Sequence, residues 1–395
     1  MLYIDQVDIE GKTLLIRVDF NVPLNGDIIT DDNRIKAAVP TLKYSLEKGA
    51  AVIVMAHLGK PKGKVVDELS LAPIAARLGE LLGMDVPLAP DCIGPEVEKM
   101  ASNLKPGQIM MLQNLRFHAE EQGKTPEDRG DFGKKLAALA DIYVNDAFGV
   151  AHRPNASVVD VPYAAKECCI GFLLKKEWEV LGEYLKHPER PYLAISGGAK
   201  VSSKLGILTN LIGKVDHFII GGAMANTFML AKGQSIGKSL CEPDLVDTAK
   251  EILDKAEAAG TKLHLPVDFV WGLDTDKPAG VCGEDNVPED AMLLDIGPDT
   301  IKNFIEVISS SKTIVWNGPM GLFENPEFAE GSMAVCKAMS ENVGTTIVGG
   351  GDTDAVVHKA NLQNSFSFIS TGGGSFLEFL EGKELPAFKA LKENM

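Results

Sequence analysis

The sequence predicts an α/β protein: two doubly wound, parallel-sheet, Rossmann-like domains in tandem, joined by a hinge helix. Three observations carry this. Apolar, β-branched runs recur along the chain and read as continuous rather than alternating, the pattern of strands covered on both faces. Helical patterns lie between them, and this alternation occurs twice over. The chain has 395 residues, enough at roughly 150 residues per domain for two or three domains.

In the first half, strands are read at "TLLIRVDF" (13–20), "AAVIVMA" (50–56), "QIMML" (108–112), "DIYVNDA" (141–147) and "SVVDV" (157–161). "SLAPIAARLGELLG" (70–83) predicts a helix, with Ser70 as N-cap, a proline in its first turn and a glycine at its end. A second helix is read near 130–140. In "GFLLKKEWEVLGEYLK" (171–186), Leu173, Leu174, Trp178, Leu181 and Leu185 recur at helical spacing. The residues alone leave a strut between domains and an ordinary packed helix equally open. Second-half strands are read at "YLAIS" (192–196), "HFIIGG" (217–222), "KLHLPVDFV" (262–270), "TIVWNG" (313–318), "TTIVGG" (345–350) and "FSFIST" (366–371), with helices near 243–259, 299–309, 326–340 and 352–361.

The composition, 45% hydrophobic and 24% charged, is that of a globular protein. A net charge of −16, from 39 basic and 55 acidic residues, argues against nonspecific binding to nucleic acid or anionic membrane. An anionic small molecule remains possible, provided its site concentrates positive charge locally. The N-terminus lacks the features of a signal peptide, and no apolar run approaches the ~18 residues of a membrane span. Cysteines at 92, 168, 169, 241, 282 and 336 form no C-x-x-C pair, which predicts reduced thiols in a cytoplasm. His and Cys do not cluster along the chain, so no metal site is read from them.

Ligands of open α/β sheets bind beyond the carboxyl ends of the strands. Three second-half strands end in glycine runs read as opening helices: "SGGAK" (196–200), "GGGDT" (349–353) and "TGGGS" (371–375). Such junctions bind phosphate through free N–H groups and the helix dipole. Lys200 and Lys204 would lie on one face of a helix start, an adverse place for cations unless phosphate oxygens offset it. Asp352 reads as an N-cap that can also reach Mg²⁺, and Glu324 as a ribose acceptor or a solvated glutamate. "GQSIGKS" (233–239) is one residue short of a Walker loop, and no G-x-G-x-x-G occurs. First-half strand ends instead carry Asp19, Asn21, Arg34, His57, Lys60, Arg116, His118, His152 and Arg153, a basic cradle for a small polyanion. One half is thus read as a nucleotide site and the other as a small-anion site.

"RVDFNVP", "HLGKPKG", "NLRFH", "NDAFGVAHR", "GGAKVSSK", "WNGPMGLFE", "GGGDT" and "STGGG" occur in order along nearly the whole chain. Together they resemble the phosphoglycerate kinase family. The resemblance implies reversible phosphoryl transfer between 1,3-bisphosphoglycerate and MgADP, giving 3-phosphoglycerate and MgATP in glycolysis or gluconeogenesis. It implies a monomer whose two domains close about a hinge. By motif, Asp19, Asn21, Arg34, His57, Lys60, Arg116 and Arg153 would hold the glycerate ligand. Gly197, Lys200, Lys204, Gly221, Gly222, Gly297, Glu324, Gly350, Gly351, Asp352 and Thr353 would hold the nucleotide, with Asp352 on Mg²⁺. Arg34, Lys200 and Gly373 would be catalytic, and Gly372, Gly373 and Gly374 would offer amides to the phosphoryl group. Implied boundaries are 1–170 for the glycerate domain, 171–187 for the interdomain helix, 188–375 for the nucleotide domain, and 376–395 for a tail returning to the first domain. The sequence departs from the family's usual pattern at Lys60 (arginine), Gln113 (glutamate), Ser203 (aspartate), Ser375 (alanine) and Phe376 (serine). A nucleotide-binding relative without turnover is the alternative reading; an NAD-dependent dehydrogenase is disfavoured by the missing glycine fingerprint.

Overall fold

Continuous apolar runs of the first half become buried parallel strands, in a computed structural model that describes residues 1–395. They are β1 (Thr13–Val18), β4 (Ala51–Met55), β5 (Ile109–Met111), β6 (Ile142–Asp146) and β7 (Cys168–Ile170), with a two-stranded hairpin, β2 (Leu24–Asn25) and β3 (Ile28–Ile29), after β1. The sheet order is β5-β4-β1-β6-β7. Leu14 of β1 pairs with Val52 on one side and Ile142 on the other. All these strands run parallel, so their carboxyl ends share one edge of the sheet.

Two local readings change here, and one helix is added to those read from the sequence. Residues 157–161 are helical: a π-helical turn, Ala156–Asp160, runs into Val161–Ala164. The buried Glu121 carboxylate accepts from the Ser157 amide (2.9 Å) and hydroxyl (2.6 Å), and this tertiary contact overrides β propensity. The helix Asn33–Glu47 forms despite Pro40 because Ile35, Ala38 and Leu42 are buried along one face. Helix Ala72–Leu82 starts after Leu71; the Ser70 hydroxyl accepts from the Ala72 amide at 3.3 Å without occupying the cap position.

The second half forms β8 (Tyr192–Ser196), β9 (His217–Ile220), β10 (Lys262–His264), β14 (Thr313–Asn317), β15 (Thr345–Val348) and β16 (Phe368–Ile369). Their order, β10-β9-β8-β14-β15-β16, is the doubly wound dinucleotide-fold order. The run 262–270 is two strands, since Pro266 cannot donate to a ladder. The second, β11 (Asp268–Gly272), belongs to an antiparallel sheet with β12 (Gly280–Gly283) and β13 (Met292–Ile296).

The chain divides into Met1–Glu183 with Glu384–Met395, and Tyr184–Lys383. The boundary falls inside a continuous helical stretch: α-helix Phe172–Glu177, π-helical Trp178–Glu183, then 3₁₀ Tyr184–Lys186. Its start is fastened to the first unit, with the Phe172 amide on the Thr41 hydroxyl (2.9 Å) and the Leu174 amide on Asp146 (3.1 Å). Helix Gly373–Leu380 stays with the second unit, so the returning segment is Glu384–Met395, shorter than 376–395. In it Phe388 packs 4.9 Å from Trp178. No helix is long and apolar enough to cross a membrane.

Phe376 is fully buried, and a Cβ on Gly349 would overlap its ring. Phe376→Ala is expected to destabilise the second unit by about 3–5 kcal/mol, and Gly349→Ala by about 1–3 kcal/mol through overpacking. Urea denaturation of the full chain, followed at the transition of that unit, checks both.

Candidate active site

In the first unit the cradle is built at the carboxyl edge of the sheet, from the segments after β1, β4, β5 and β6 and the first turn of helix Asn33–Glu47. Arg34 bonds Asp19 at 2.7 Å with its side chain 42% exposed and donors to spare. The Asn21 carbonyl accepts from the Gly59 amide (2.9 Å), and Arg116 donates to the Gly59 carbonyl (2.7 Å), so one turn is held from two strand ends. The buried Nε of Arg116 has no partner within the protein. Burial and the charges of Arg17 and Arg153 push the Arg116 pKa down to about 10, which leaves it cationic near neutrality.

His57 is buried beside this turn. Burial first, then the charges of Arg17, Arg116, Arg153 and Arg34, hold its pKa well below the usual imidazole value. Arg17 lies 3.2 Å from its Nδ1, and because arginine only donates, Nδ1 is the acceptor and Nε2 carries the proton. Arg34, His57, Arg116 and Arg153 are thus brought together with Asp19 and Asn21. Lys60 extends from the same turn into solvent.

In the second unit, two cavities of about 310 Å³ each meet at Gly198, Ala199, Pro319 and Asp352. One is of mixed polarity and lined by Gly197, Lys200, Lys204, Asn317, Gly350, Gly351 and Thr353 among others. The other is largely apolar, between Gly222, Leu294, Met320 and Phe323, with Glu324 at its margin. Gly221 and Gly297 do not line it; their neighbours Gly222 and Ile296 do, and Gly221 packs on the lining residue Met320. Lys204 donates to Asn317, whose amide reaches the Gly349 carbonyl at 2.6 Å. Partial burial lowers the Lys204 pKa, against the pull of Asp352 and Glu381. The Gly318 amide donates to Thr353 at 2.7 Å.

Two expectations about these loops are corrected. "SGGAK" opens no helix: residues 201–204 make a turn and the helix is Leu205–Leu211, with Lys204 at its cap position. The adverse dipole therefore acts on Lys204 rather than Lys200. Asp352 is not the cap of helix Gly351–Lys359; Gly350 holds that position, and Asp352 stays exposed. The runs at 349–353 and 371–375 do open helices, Gly351–Lys359 and Gly373–Leu380. Gly373 approaches Gly351: a Cβ on it would stand 3.8 Å from the Gly351 amide.

Sequence reasoning missed Arg17, Glu121 and Asn317. Arg17 is fully buried and bonds Ser157 (2.8 Å) and His57, with Glu121 3.8 Å away. Its signal was present, a lone charge inside the apolar run "TLLIRV". Glu121 had none. Asn317, buried at the end of β14, is a polar residue in "TIVWN".

Residues 4–383 match the family described as phosphoglycerate kinase. The chain is 77% identical over 395 residues, all of both sequences, to the phosphoglycerate kinase of Maridesulfovibrio salexigens. In structure it is similar to phosphoglycerate kinase from Coxiella burnetii, with TM-score 0.92 and 41% identity over 99% of each chain. It is also similar to that from Pyrococcus horikoshii, with TM-score 0.85 and 33% identity over 100% of each. Two doubly wound sheets, a basic cradle at one edge, a lysine- and glycine-lined cavity at the other, and this breadth of similarity place the chain in the phosphoglycerate kinase family.

Proposed function

We propose that this chain transfers a phosphoryl group directly and reversibly between 1,3-bisphosphoglycerate and MgADP, giving 3-phosphoglycerate and MgATP. The cavity where Lys200, Lys204, Asp352 and the Gly350–Gly351 turn meet carries the reading. Asp19, Asn21, Arg34, His57, Lys60, Arg116 and Arg153 hold the glycerate; neutral His57 presents its Nε2 proton, and the unpartnered Nε of Arg116 supplies another donor.

The apolar cavity at Gly222 takes the base, with Glu324 accepting from the ribose. Lys204 and Gly350 to Thr353 take the phosphates. Lys200, Arg34 and the amides of Gly372 to Gly374 mask charge on the moving group, the main requirement of phosphoryl transfer. Both acceptor oxygens are already anionic, so no general base is needed.

Asp352 is exposed, makes no cap bond and lines both cavities. It fits a magnesium ion shared with phosphate oxygens. Held by Asp352, such an ion would supply positive charge against that of the phosphates. All proposed groups lie on one chain, which supports a monomeric enzyme, and six free cysteines support a reducing compartment such as the cytoplasm.

A coupled assay with MgATP and 3-phosphoglycerate tests the reading, and folded protein without turnover overturns it. Lys200→Ala is expected to lower kcat by about 10²–10³, the loss of one charge-stabilising donor, with little change in KM for ATP. Arg34→Ala is expected to abolish turnover and weaken glycerate binding about 10- to 100-fold while ADP binding persists in calorimetry, since charge-assisted bonds contribute about 1.5–3 kcal/mol each. The two substrates sit on different units and react only on meeting, so binding both is expected to compact the molecule in solution scattering. Unchanged scattering curves count against closure.

A further inference from the structure

Outside the proposed machinery, three potential metal ligands distant in sequence come together. A carboxylate oxygen of Asp91, Sγ of Cys92 and a ring nitrogen of His118 all lie within 4.8 Å of one another. The loop at 90–94 is drawn alongside β5, with the Ala89 amide on the Met111 carbonyl (2.7 Å) and the Gln113 amide on the Asp91 carbonyl (3.4 Å). His118 follows the 3₁₀ turn Leu115–Phe117, and its ring stacks on Phe132 at 4.8 Å, which fixes its plane. Sequence spacing hides the cluster because only folding unites residues 91–92 with 118.

We propose that Asp91, Cys92 and His118 form a binding site for one divalent cation of borderline softness, zinc above all, with water as a fourth ligand. One oxygen, one sulfur and one imidazole nitrogen are the donor types zinc takes. Zinc bonds of about 2.0–2.3 Å set tetrahedral ligands roughly 3.3–3.8 Å apart. His118 Nε2 and Asp91 Oδ1, now 2.6 Å apart, must separate slightly, while the thiol moves inward.

Asp91 has room to do so: its side chain is 50% exposed, and His118 is 20% exposed, so a cation has a path from solvent to the buried Cys92. Cys92 now donates to the Gln113 carbonyl at 2.8 Å. Coordination replaces that proton with the metal and releases it to solvent. Burial and the nearby Asp91 and Glu121 raise the Cys92 thiol pKa; the same two carboxylates favour a cation. Since Gln113 and His118 flank Arg116 on this segment, an occupied site changes how the turn bearing Arg116 is held.

The test uses the full chain, treated with a chelator and titrated with Zn²⁺ and, separately, Co²⁺. One zinc equivalent and a cobalt spectrum with a thiolate-to-metal charge-transfer band are expected. Cys92→Ser should remove that band. His118→Asn, at a partly exposed position and so independent of any folding defect in the first variant, should weaken zinc by at least about 100-fold, since even outer-shell partners contribute about 10–100-fold. His217→Asn, which alters the imidazole pair His217–His264 (3.0 Å) elsewhere, should leave both signals. No uptake, a cobalt spectrum without the thiolate band, or undiminished zinc binding in both variants overturns the proposal.

Discussion

Mutual repulsion among cations gathered at the edge of a sheet is the constraint around which the first unit is organised. Arg17, Arg34, Arg116 and Arg153 all bear on His57, in a chain whose net charge is −16. The acidic remainder does not neutralise them at a distance, because exposed charges beyond about 10 Å are largely screened. Local carboxylates do it instead. Asp19 takes Arg34, and Glu121 faces Arg17 from a fully buried position. Burial pushes the Glu121 pKa up, while Arg17 and the Ser157 hydroxyl and amide pull it down. An isolated buried ion of either sign would be costly; the pair persists because every partner is also hydrogen-bonded. Burial first, and then the surrounding guanidinium charges, keep His57 neutral, so it adds a donor to the cradle without adding a charge.

The second unit meets a different demand: its backbone comes close to itself at some glycines and is left open at others. A Cβ on Gly222 would lie 2.6 Å from Gly198 backbone atoms, and Gly222 has φ +68°. There glycine serves chain-on-chain packing, with the Gly198 amide on the Pro319 carbonyl at 3.0 Å and the Met224 amide on the Gly198 carbonyl at 3.0 Å. Gly351 differs, since nothing lies within 4 Å of where its Cβ would be. Only at such open positions does the missing side chain leave room for an anion. A glycine run in a sequence therefore has two distinct physical causes, and only a fold separates them.

That distinction explains what was legible. Parallel strands were readable because burial on both faces forces continuous apolar runs, and the groups following them were readable because strand ends are where such sheets bind. Arg34, His57, Arg116, Lys200 and Asp352 all follow this rule. Residues acting through long-range pairing were not readable. Glu121 looks like a surface glutamate in "HAEEQG" until Ser157 and Arg17 are seen around it. The helix at 156–164 was hidden for the same reason, as was the Asp91–Cys92–His118 cluster. Short antiparallel strands such as β12 fell below any periodic signal.

The departures from the family pattern follow the same logic of local compensation. Gln113, in place of glutamate, accepts from the Leu71 and Asn114 amides and also donates to Ser70 at 3.1 Å, a contact in which the hydroxyl is acceptor where it would be donor to a carboxylate. Ser203, in place of aspartate, bonds the Lys200 carbonyl at 2.8 Å and so still ties down the turn that carries this lysine. The missing carboxylate has a neighbour to stand in for it. Glu242 accepts from the Ser202 amide (2.9 Å) and hydroxyl (2.6 Å), and Lys200 is among the groups that lower its pKa. Phe376 fills the space over Gly349 that a serine would leave open, trading a hydroxyl for apolar contact beneath the turn at 349–351. These three substitutions leave in place the Lys200 and Lys204 ammonium groups and the glycine backbone that line the cavity of the second unit.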